Sequence, residues 1–475
     1  MSAGTRAIRV VNPATEEEVA GYDAHSSEEI EQAIADAHDA QRQWRDVAFD
    51  DRARIIRALA AVLRDRQDEF ARLITTEMGK PLAEAAAEVE KCAWTCDFFA
   101  DGGEAFLSDR PIETTAASSY VAYQPLGVVL AIMPWNFPFF QVVRFAAPAL
   151  MAGNAALLKH SPNTSGCALA IEAAFHEAGL PPGLFRALLV SDAVVGDVTA
   201  RIIEDPRVAA VTLTGSERAG TAVGAAAGRA LKKSVLELGG SDPFIVLDDA
   251  DVAFAARMAA RARFLNGGQS CISAKRFIVA DAVADEFEHL FVEAVEAIPV
   301  GDPLDDGVGL GPLARADLLE GLDEQVRASV DDGARLLTGG HRLDRPGYYY
   351  APTVLGDVRP HMAVFCEETF GPAAAIIRAR DEDHAVELAN DTPFGLGASV
   401  WTRDPERGQR IGRRVESGAL FVNAIVASDP RVPFGGVKRS GHGRELAAEG
   451  IREFVNVRTF WVGASTTTEP APLTE

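Results

Sequence analysis

The sequence predicts an α/β protein with a parallel, doubly wound sheet, a second α/β region and a small β element. From residue 127 onward, short apolar strands alternate with helices, and glycine or proline marks many of the boundaries. The 475-residue chain is too long for one ordinary core, so two or three domains are expected. Sheets of this kind bind ligands at the carboxyl ends of their strands.

Composition narrows the function classes. The net charge of −23 argues against nucleic acid or an anionic membrane as a partner. The longest apolar run, Val128 to Met133, is too short to span a membrane, and the N-terminus lacks the apolar core of a secretory signal. Five cysteines fit a reducing compartment, so we expect a cytoplasmic protein; Cys92 and Cys96 lack the partners that a metal site needs.

The first hundred residues predict a helical scaffold. Helices are expected over 27–47, 50–77 and 82–106. Ser26 and Glu29 have capping-box spacing, and Asp50 is a plausible N-cap for the second helix. We assign no chemistry to this part of the chain.

The remaining elements follow in order. The first parallel sheet is predicted from strands at 128–133, 155–159, 184–190, 209–213 and 233–238, with helices between them. A second α/β region is predicted from strands near 244–247, 276–280, 373–378, 397–401 and 419–422. Two further strands, 119–125 and 453–462, are expected to be exposed and to need cover along their edges.

Cys271 is the first candidate for chemistry. A helix-like segment ends at Gly267-Gly268, and the turn that follows can present the thiol at the end of a rigid element. A thiol held in this way can act as a nucleophile. The alternative is a small apolar residue packed in a core, which is where free cysteines most often lie.

Polar residues at the strand ends provide the other candidates. Asn136 can stabilise an oxyanion through its amide, or it can simply cap a helix. Lys159 suits a nucleotide ribose or phosphate, or it is a surface lysine. The small-residue turn at Gly215-Ser216 allows backbone N–H groups to approach a pyrophosphate, although it lacks the GxGxxG pattern.

Two acidic motifs complete the set. Glu237, between two leucines and before a glycine pair, is expected to be desolvated and to have the raised pKa of a general base, or else to be salt-bridged within its strand. Glu367-Glu368-Thr369-Phe370 forms a turn that can hold a cofactor sugar and a planar ring, or it is an ordinary loop.

These motifs occur together and in a fixed order, and jointly they resemble the aldehyde dehydrogenase superfamily over residues 8–462. Within it, the run from Pro134 to Asn154 with Leu158-Lys159-His160 is most similar to bacterial succinate-semialdehyde dehydrogenases. The motifs that carry the resemblance are Pro-Trp-Asn-Phe-Pro at 134–138, Lys159, Leu-Glu-Leu-Gly-Gly at 236–240, Gly-Gln-Ser-Cys at 268–271, Glu-Glu-Thr-Phe-Gly-Pro at 367–372 and Pro-Phe-Gly-Gly-Val-Lys at 433–438.

The resemblance implies a covalent mechanism. Cys271 would attack the aldehyde carbon, and Asn136 with the Cys271 backbone N–H would hold the oxyanion of the thiohemiacetal. Loss of hydride to a nicotinamide would leave a thioester, which a water activated by Glu237 would hydrolyse. The resemblance also assigns a set of cofactor contacts: Trp135, Lys159, Ser161, Gly215, Ser216, Glu368 and Phe370.

The cofactor is expected to be NADP or NAD, with NADP favoured. Many NAD-preferring members of the superfamily carry a Glu three residues after the strand-end lysine, where this chain has Pro162. Without that carboxylate a 2′-phosphate is not repelled, and Lys159 and Ser161 can bind it. Some relatives have a second cysteine two residues after the nucleophile; Ser273 stands there, so no local disulfide switch is expected.

Succinate semialdehyde is the expected substrate, and Arg144 is the main reason. It lies eight residues after Asn136, and the resemblance makes it the anchor of the far carboxylate; the alternative is an interdomain or subunit salt bridge. Arg263 and Ser428 are secondary candidates. Glutarate semialdehyde, a neutral aldehyde, an acyl-CoA-forming reaction, a Cys-His hydrolase and a non-enzymatic role remain as alternatives.

The domain organisation follows from the same resemblance. Residues 1–107 and 126–239 are predicted to form the dinucleotide-binding domain, and 240–452 the catalytic domain. Residues 108–125 and 453–463 are predicted to be oligomerisation strands that pair between subunits of a homodimer or homotetramer. Residues 464–475 are predicted to be a flexible tail.

Overall fold

The computed structural model of the protein describes residues 8–463. The predicted flexible tail, residues 464–475, lies outside the described residues. No helix in the described range is long and apolar enough to cross a membrane.

The described chain alternates helices and strands along most of its length. The α-helices are α1 (Ser27–Trp44), α2 (Phe49–Asp65), α3 (Gln67–Met78), α4 (Leu82–Leu107), α5 (Phe140–Met151), α6 (Ser165–Glu177), α7 (Val195–Glu204), α8 (Glu217–Arg229), α9 (Val252–Phe264), α10 (Ala284–Glu296), α11 (Ala316–Asp331), α12 (Ala363–Cys366), α13 (Glu382–Asn390), α14 (Pro405–Gly412) and α15 (Ala447–Ile451). The strands are β1 (Ile8–Val11), β2 (Glu18–Tyr22), β3 (Arg110–Pro111), β4 (Ser118–Pro125), β5 (Val128–Met133), β6 (Ala155–His160), β7 (Phe185–Leu188), β8 (Val208–Thr214), β9 (Lys233–Glu237), β10 (Asp242–Val246), β11 (Ala274–Ala280), β12 (Arg335–Thr338), β13 (Thr353–Gly356), β14 (Ala373–Ala379), β15 (Gly397–Trp401), β16 (Ala419–Val422), β17 (Gly441–His442) and β18 (Val455–Val462).

The helical scaffold forms as predicted, with two differences. The capping box of α1 is present: the Ser26 hydroxyl accepts from the Glu29 N–H at 3.2 Å, and the Glu29 carboxylate accepts from the Ser26 N–H at 2.7 Å. The predicted helix 50–77 is two helices, α2 and α3, because Arg66 has φ −109° and ψ 21° between them. Asp50 lies inside α2, whose N-cap is Ala48, so its predicted capping role is wrong.

The first parallel sheet has six strands in the order β17-β9-β8-β5-β6-β7. Its five main strands are parallel, and the chain reverses the direction of winding between β5 and β8. Such a reversal opens a crevice at the carboxyl ends of the two strands. The short β17, which was not predicted as a strand, joins antiparallel to β9, although its residues fall in the range 240–452 predicted for the catalytic domain.

The second sheet has seven strands in the order β12-β13-β14-β11-β10-β15-β16, and all its pairs are parallel except β12 with β13. Its winding direction changes between β10 and β15. The strands β9 and β10 follow each other in the chain but belong to different sheets, and only the turn 238–241 separates them. The end of β9 therefore lies at the junction of the two sheets.

The two predicted oligomerisation strands pair with each other. β4 and β18 run antiparallel with eight paired residues, so these two strands pair within the chain, and pairing between subunits remains a prediction. Tyr120 and Phe460 stack across this pair with ring centroids 4.8 Å apart. In the three-stranded sheet β18-β4-β3, the outer edge of β18 has no partner among the described residues, and Val457 and Trp461 are exposed there. The predicted domain boundaries remain predictions.

Candidate active site

The turn before Cys271 takes a backbone path that demands glycine. After α9 ends, Asn266, Gly267 and Gly268 have φ values of 54°, 63° and 71°, in the left-handed region. A Cβ atom on Gly268 would overlap the Gly371 carbonyl, so only glycine fits there. The turn delivers Cys271 to a partly exposed position just before β11.

The thiol of Cys271 lies between opposing electrostatic influences. Burial raises the pKa of Cys271 above its usual range, while the positive charges of Arg144 and Lys275 act to lower it. The thiols of Cys92, Cys96 and Cys167 are buried within the structure and do not line this site. In the part of the chain that the structure describes, no cluster of three or more His, Cys, Asp or Glu residues is suited to a metal ion.

Asn136 is brought against the nucleophile turn. Its buried side-chain Nδ2 donates to the Gln269 carbonyl at 3.1 Å, and the Asn266 side chain donates to the Asn136 carbonyl at 2.8 Å. An amide Nδ2 has two hydrogens, so the bond to Gln269 leaves a second donor. The expected oxyanion donor and the nucleophile therefore belong to one hydrogen-bonded unit.

Glu237 ends β9 as a buried carboxylate. Neither of its oxygens has a hydrogen-bond partner among the described residues. Burial and the neighbouring Glu445 raise the pKa of Glu237 well above its usual range, and Arg144 acts in the opposite direction. A desolvated, unpartnered carboxylate is a strong base once it is ionised. The strand salt bridge considered for Glu237 is absent from the described residues.

Arg144 lies on α5 and reaches across to the end of β8. Its Nη2 forms an ion pair with Glu445 at 2.5 Å and lies 3.4 Å from the Thr214 hydroxyl. Its guanidinium also lies over the Phe434 ring, 4.7 Å from the centroid. Arg144 therefore combines both expectations for it, since it makes a salt bridge within the chain and also lines the cavity beside Cys271.

The cavity beside Cys271 has a volume of about 290 Å³ and contains a second cation that the sequence did not single out. The Lys91 ammonium lies over the Phe140 ring and donates to the Ser428 hydroxyl at 2.7 Å. Lys91 forms no ion pair with any described carboxylate. The spacing of Glu84, Glu88 and Lys91 along α4 would have placed Lys91 on one helix face with two acids, which is the only cue the sequence offered.

Of the two secondary substrate candidates, the structure brings only one to the cavity. Ser428 lines it together with Lys91 and Arg144. Arg263 is fully buried and does not line it. Its guanidinium donates to backbone carbonyls, which are those of Ala373 at 2.6 Å, Thr369 at 2.9 Å, Gly268 at 3.4 Å and Gly371. The substrate role predicted for Arg263 is therefore wrong, because its donors are already used by the backbone.

Three of the predicted cofactor residues meet at the junction of the two sheets. The Trp135 and Phe370 rings pack edge to face, with centroids 5.7 Å apart. The Glu368 carboxylate accepts from the Gly240 N–H at 3.0 Å. The turn that carries Glu368 and Phe370 thus faces the strand-end motifs of both sheets.

The remaining predicted cofactor residues lie around the carboxyl ends of β6 and β8. Lys159 is buried, which lowers its pKa. It lines a cavity of about 620 Å³. Among the described residues, this cavity is also lined by Arg218 and Arg229 and by no aspartate or glutamate. The Ser161 hydroxyl donates to the Asn163 side chain at 2.6 Å. Such a lining suits an apolar ring and a phosphate.

The turn into α8 was predicted to offer backbone N–H groups to a pyrophosphate, and the structure fits this only in part. Ser216 caps α8, accepting from the Ala219 N–H at 3.3 Å. The Gly215 N–H donates to the Glu237 carbonyl at 3.0 Å, so it is not free for a pyrophosphate. Anion binding at this turn would therefore depend on the N-terminus of α8.

A half-buried thiol, an amide donor, a buried carboxylate and a crevice in a doubly wound sheet define the aldehyde dehydrogenase class of enzyme. The chain belongs to the aldehyde dehydrogenase family, whose profile matches residues 1–460. Members of this family act on small aldehydes.

Several similar proteins within the family are named as succinate-semialdehyde dehydrogenases. The chain is 50% identical over 456 residues to a probable succinate-semialdehyde dehydrogenase (NADP+) of Synechocystis sp., covering 96% of this chain and all of that protein. It is 48% identical over 461 residues to the Escherichia coli succinate semialdehyde dehydrogenase (NAD(P)+) Sad, covering 97% and 99%. The crystal structure of the Streptococcus pyogenes succinic semialdehyde dehydrogenase with NADP+ superposes with a TM-score of 0.93 at 35% identity, covering 96% of this chain and 100% of that one.

Proposed function

We propose that this protein oxidises succinate semialdehyde to succinate with NADP+ or NAD+, NADP+ being favoured. The observation that supports this choice of substrate is a pair of cations, Arg144 and Lys91, which lie beside the Ser428 hydroxyl on the wall of the Cys271 cavity. The carboxylate at the far end of a four-carbon aldehyde needs such partners, and a neutral aldehyde does not. The names of the relatives support the same substrate.

The chemistry proceeds through a covalent bond to Cys271. Its thiolate adds to the aldehyde carbon, and Asn136 Nδ2 with the Cys271 backbone N–H stabilises the alkoxide of the thiohemiacetal. When bound, the dinucleotide supplies the acceptor for the hydride, and a thioester remains on Cys271. Glu237 then removes a proton from water, the water attacks the thioester carbon, and the carbon–sulfur bond breaks to release succinate.

Pre-steady-state kinetics of Glu237→Gln test this division of labour. The first turnover should still release a burst of NADPH, because the thioester forms without the base. Steady-state turnover should fall about 10²- to 10⁴-fold, which is the usual contribution of a general base. Loss of the burst would place Glu237 before thioester formation and contradict its role. Cys271→Ala is the matched control and should show no burst.

NADP is favoured because of what surrounds Lys159. Pro162, three residues after Lys159, carries no carboxylate, and the charged side chains that line the Lys159 cavity among the described residues are all positive. A 2′-phosphate is attracted by such a lining. Steady-state kinetics with both cofactors test this, and a large preference for NAD in kcat/KM would contradict it.

The protein is also proposed to be a cytoplasmic homodimer or homotetramer. The supporting observation is the outer edge of β18, where 61% of Val457 and 58% of Trp461 are exposed beside unpaired backbone groups. Such an edge favours pairing with a second copy. A monomer in light scattering would contradict the proposal.

A further inference from the structure

Lys275 lies at the centre of the nucleophile turn. It is fully buried at the start of β11, four residues after Cys271. Its ammonium donates to the Ser270 carbonyl at 3.0 Å and the Cys271 carbonyl at 2.9 Å, and it lies 3.4 Å from the Ser273 carbonyl. The turn that carries the nucleophile is thus wrapped around one positive charge.

The same ammonium faces Glu368, one of the predicted cofactor contacts. Lys275 Nζ lies 3.6 Å from Glu368 Oε1, and that oxygen also accepts from the Gly240 N–H at 3.0 Å. Gly240 is three residues after Glu237, in the turn between the two sheets. The Lys275 side chain therefore contacts both the nucleophile turn and the Glu368 carboxylate. Through that carboxylate it is linked to the turn that follows Glu237.

The groups around Lys275 act on its pKa in opposite directions. Burial lowers the pKa of Lys275, the carboxylates of Glu368 and Asp242 act to raise it, and Arg263 acts to lower it further. Asp242 is itself held by the Gly397 N–H at 2.9 Å. The three carbonyls and the carboxylate offset part of the cost of burying the ammonium.

The same charges also act on the pKa of the Cys271 thiol, some lowering it and some raising it. Lys275 and Arg144 act to lower the pKa of Cys271, while Glu368 and Asp242 act to raise it. Arg144 comes from α5 on the substrate side of the thiol, and the other three groups lie behind the turn. Removing a single charge behind the turn should therefore change the pKa of the Cys271 thiol. The aldehyde cavity should be unaffected, because Lys275 does not line it.

We propose that Lys275 is a positioning residue of the dehydrogenase reaction, which fixes the Cys271 turn against Glu368 and stabilises the thiolate. This inference rests on the proposed roles of Cys271 and Glu368 and is independent of the aldehyde that the enzyme takes. Lysine serves here because its ammonium has three donors, which match the carbonyls of a tight turn.

Alkylation of Cys271 by iodoacetamide against pH, without cofactor or aldehyde, tests the proposal. A Cys366→Ser background removes the exposed thiol, and peptide mass spectrometry confirms the site. In Lys275→Met the apparent pKa of Cys271 should rise by about one unit or more, so alkylation at pH 8 should slow about tenfold. The KM for NADP+ should rise several-fold, with little change in the KM for aldehyde. Lys275→Arg should restore part of both.

A second variant gives the opposite sign and guards against misfolding of the first. Glu368→Gln should lower the apparent pKa of Cys271, since it removes a negative charge, while it also raises the KM for NADP+. A purely structural role for Lys275 predicts no such reversal. If Glu368→Gln and Lys275→Met shift the thiol in the same direction, or if neither shifts it, the proposal is wrong.

Arg276 provides the matched control. It is the next residue, is also fully buried, and donates to the carbonyls of Ser241, Leu388 and Ala389, none of which belongs to the nucleophile turn. Arg276→Met should leave the alkylation profile of Cys271 unchanged, even if it lowers the melting temperature. An equal shift in Arg276→Met would mean that loosening of β11, rather than the charge of Lys275, controls the thiol.

Discussion

Helices α5 and α9 each place an arginine eight residues from a predicted catalytic residue, yet the two arginines have different surroundings. Arg144, after Asn136, reaches the cavity beside the thiol and meets one carboxylate and an aromatic ring there. Arg263, before Cys271, is surrounded by backbone carbonyls from the 369–373 segment and from Gly268.

The difference shows what decides the role of a buried arginine. Helical spacing tells which side of α5 or α9 a guanidinium leaves from, but most of its acceptors come from segments more than 60 residues away in the chain. Where backbone carbonyls accept from all the guanidinium donors, the arginine stabilises a turn. Where donors remain over a cavity, the charge is available to a ligand.

The largest effect is expected for Arg263→Met, as a loss of stability. The substitution leaves several buried carbonyls without donors, which should lower the free energy of unfolding by about 3–5 kcal/mol. Urea unfolding followed by tryptophan fluorescence measures this. Any surviving activity should fall to a similar extent for charged and neutral aldehydes, so a selective loss for succinate semialdehyde would contradict the structural role.

A smaller and more selective effect is expected for Arg144→Met. Loss of a charged hydrogen bond to the far carboxylate should cost about 1.5–3 kcal/mol, which is about a 10- to 150-fold rise in the KM for succinate semialdehyde. The KM for butanal, which has no far carboxylate, should change little. The kcat for both aldehydes should fall, because Arg144 also acts to lower the pKa of Cys271 and Glu237.

The smallest effect is a pH dependence set by Lys91. Burial and the nearby charge of Arg144 lower the pKa of Lys91 to about 8, so its ammonium is present below that pH and is lost above it. Between pH 7 and pH 9 the KM for succinate semialdehyde should therefore rise about tenfold relative to that for butanal.

Two variants of Lys91 isolate this effect from other titrations. Lys91→Arg keeps its charge over the whole range, so the ratio of the two KM values should become flat with pH while selectivity for the charged aldehyde remains. Lys91→Met should give a flat ratio with reduced selectivity. A ratio that still varies with pH in Lys91→Met would assign the titration to another group.

The sequence predicted most strands of both sheets and missed several short ones. The apolar runs of β5 and β15 matched their predicted bounds, because strands buried in a parallel sheet read as continuous apolar segments. The hairpin β1–β2 and the short β17 were not predicted, since they are short and depend on pairing with distant segments.

The same contrast applies to the site. Cys271, Asn136 and Glu237 follow strand ends or glycine turns, which the sequence marks locally. The roles of Lys91 and Lys275 are not marked locally, apart from the acidic helix face that Lys91 shares. The first role depends on how α4 packs against the cavity, and the second on which carbonyls the turn directs inward. Local signals thus indicated the groups that react, and only the packing indicated the groups that surround them.

The most direct test of the difference between the two arginines is the ratio of kcat/KM for succinate semialdehyde to that for butanal, measured at pH 7 with NADP+ in Arg144→Met and in Arg263→Lys. The second variant keeps a buried cation and part of the donor set. We expect the ratio to fall at least about tenfold in Arg144→Met and to stay within about twofold of the wild-type value in Arg263→Lys. An unchanged ratio in Arg144→Met, or an equal fall in both variants, would contradict the assignment of the cavity cations to the far carboxylate.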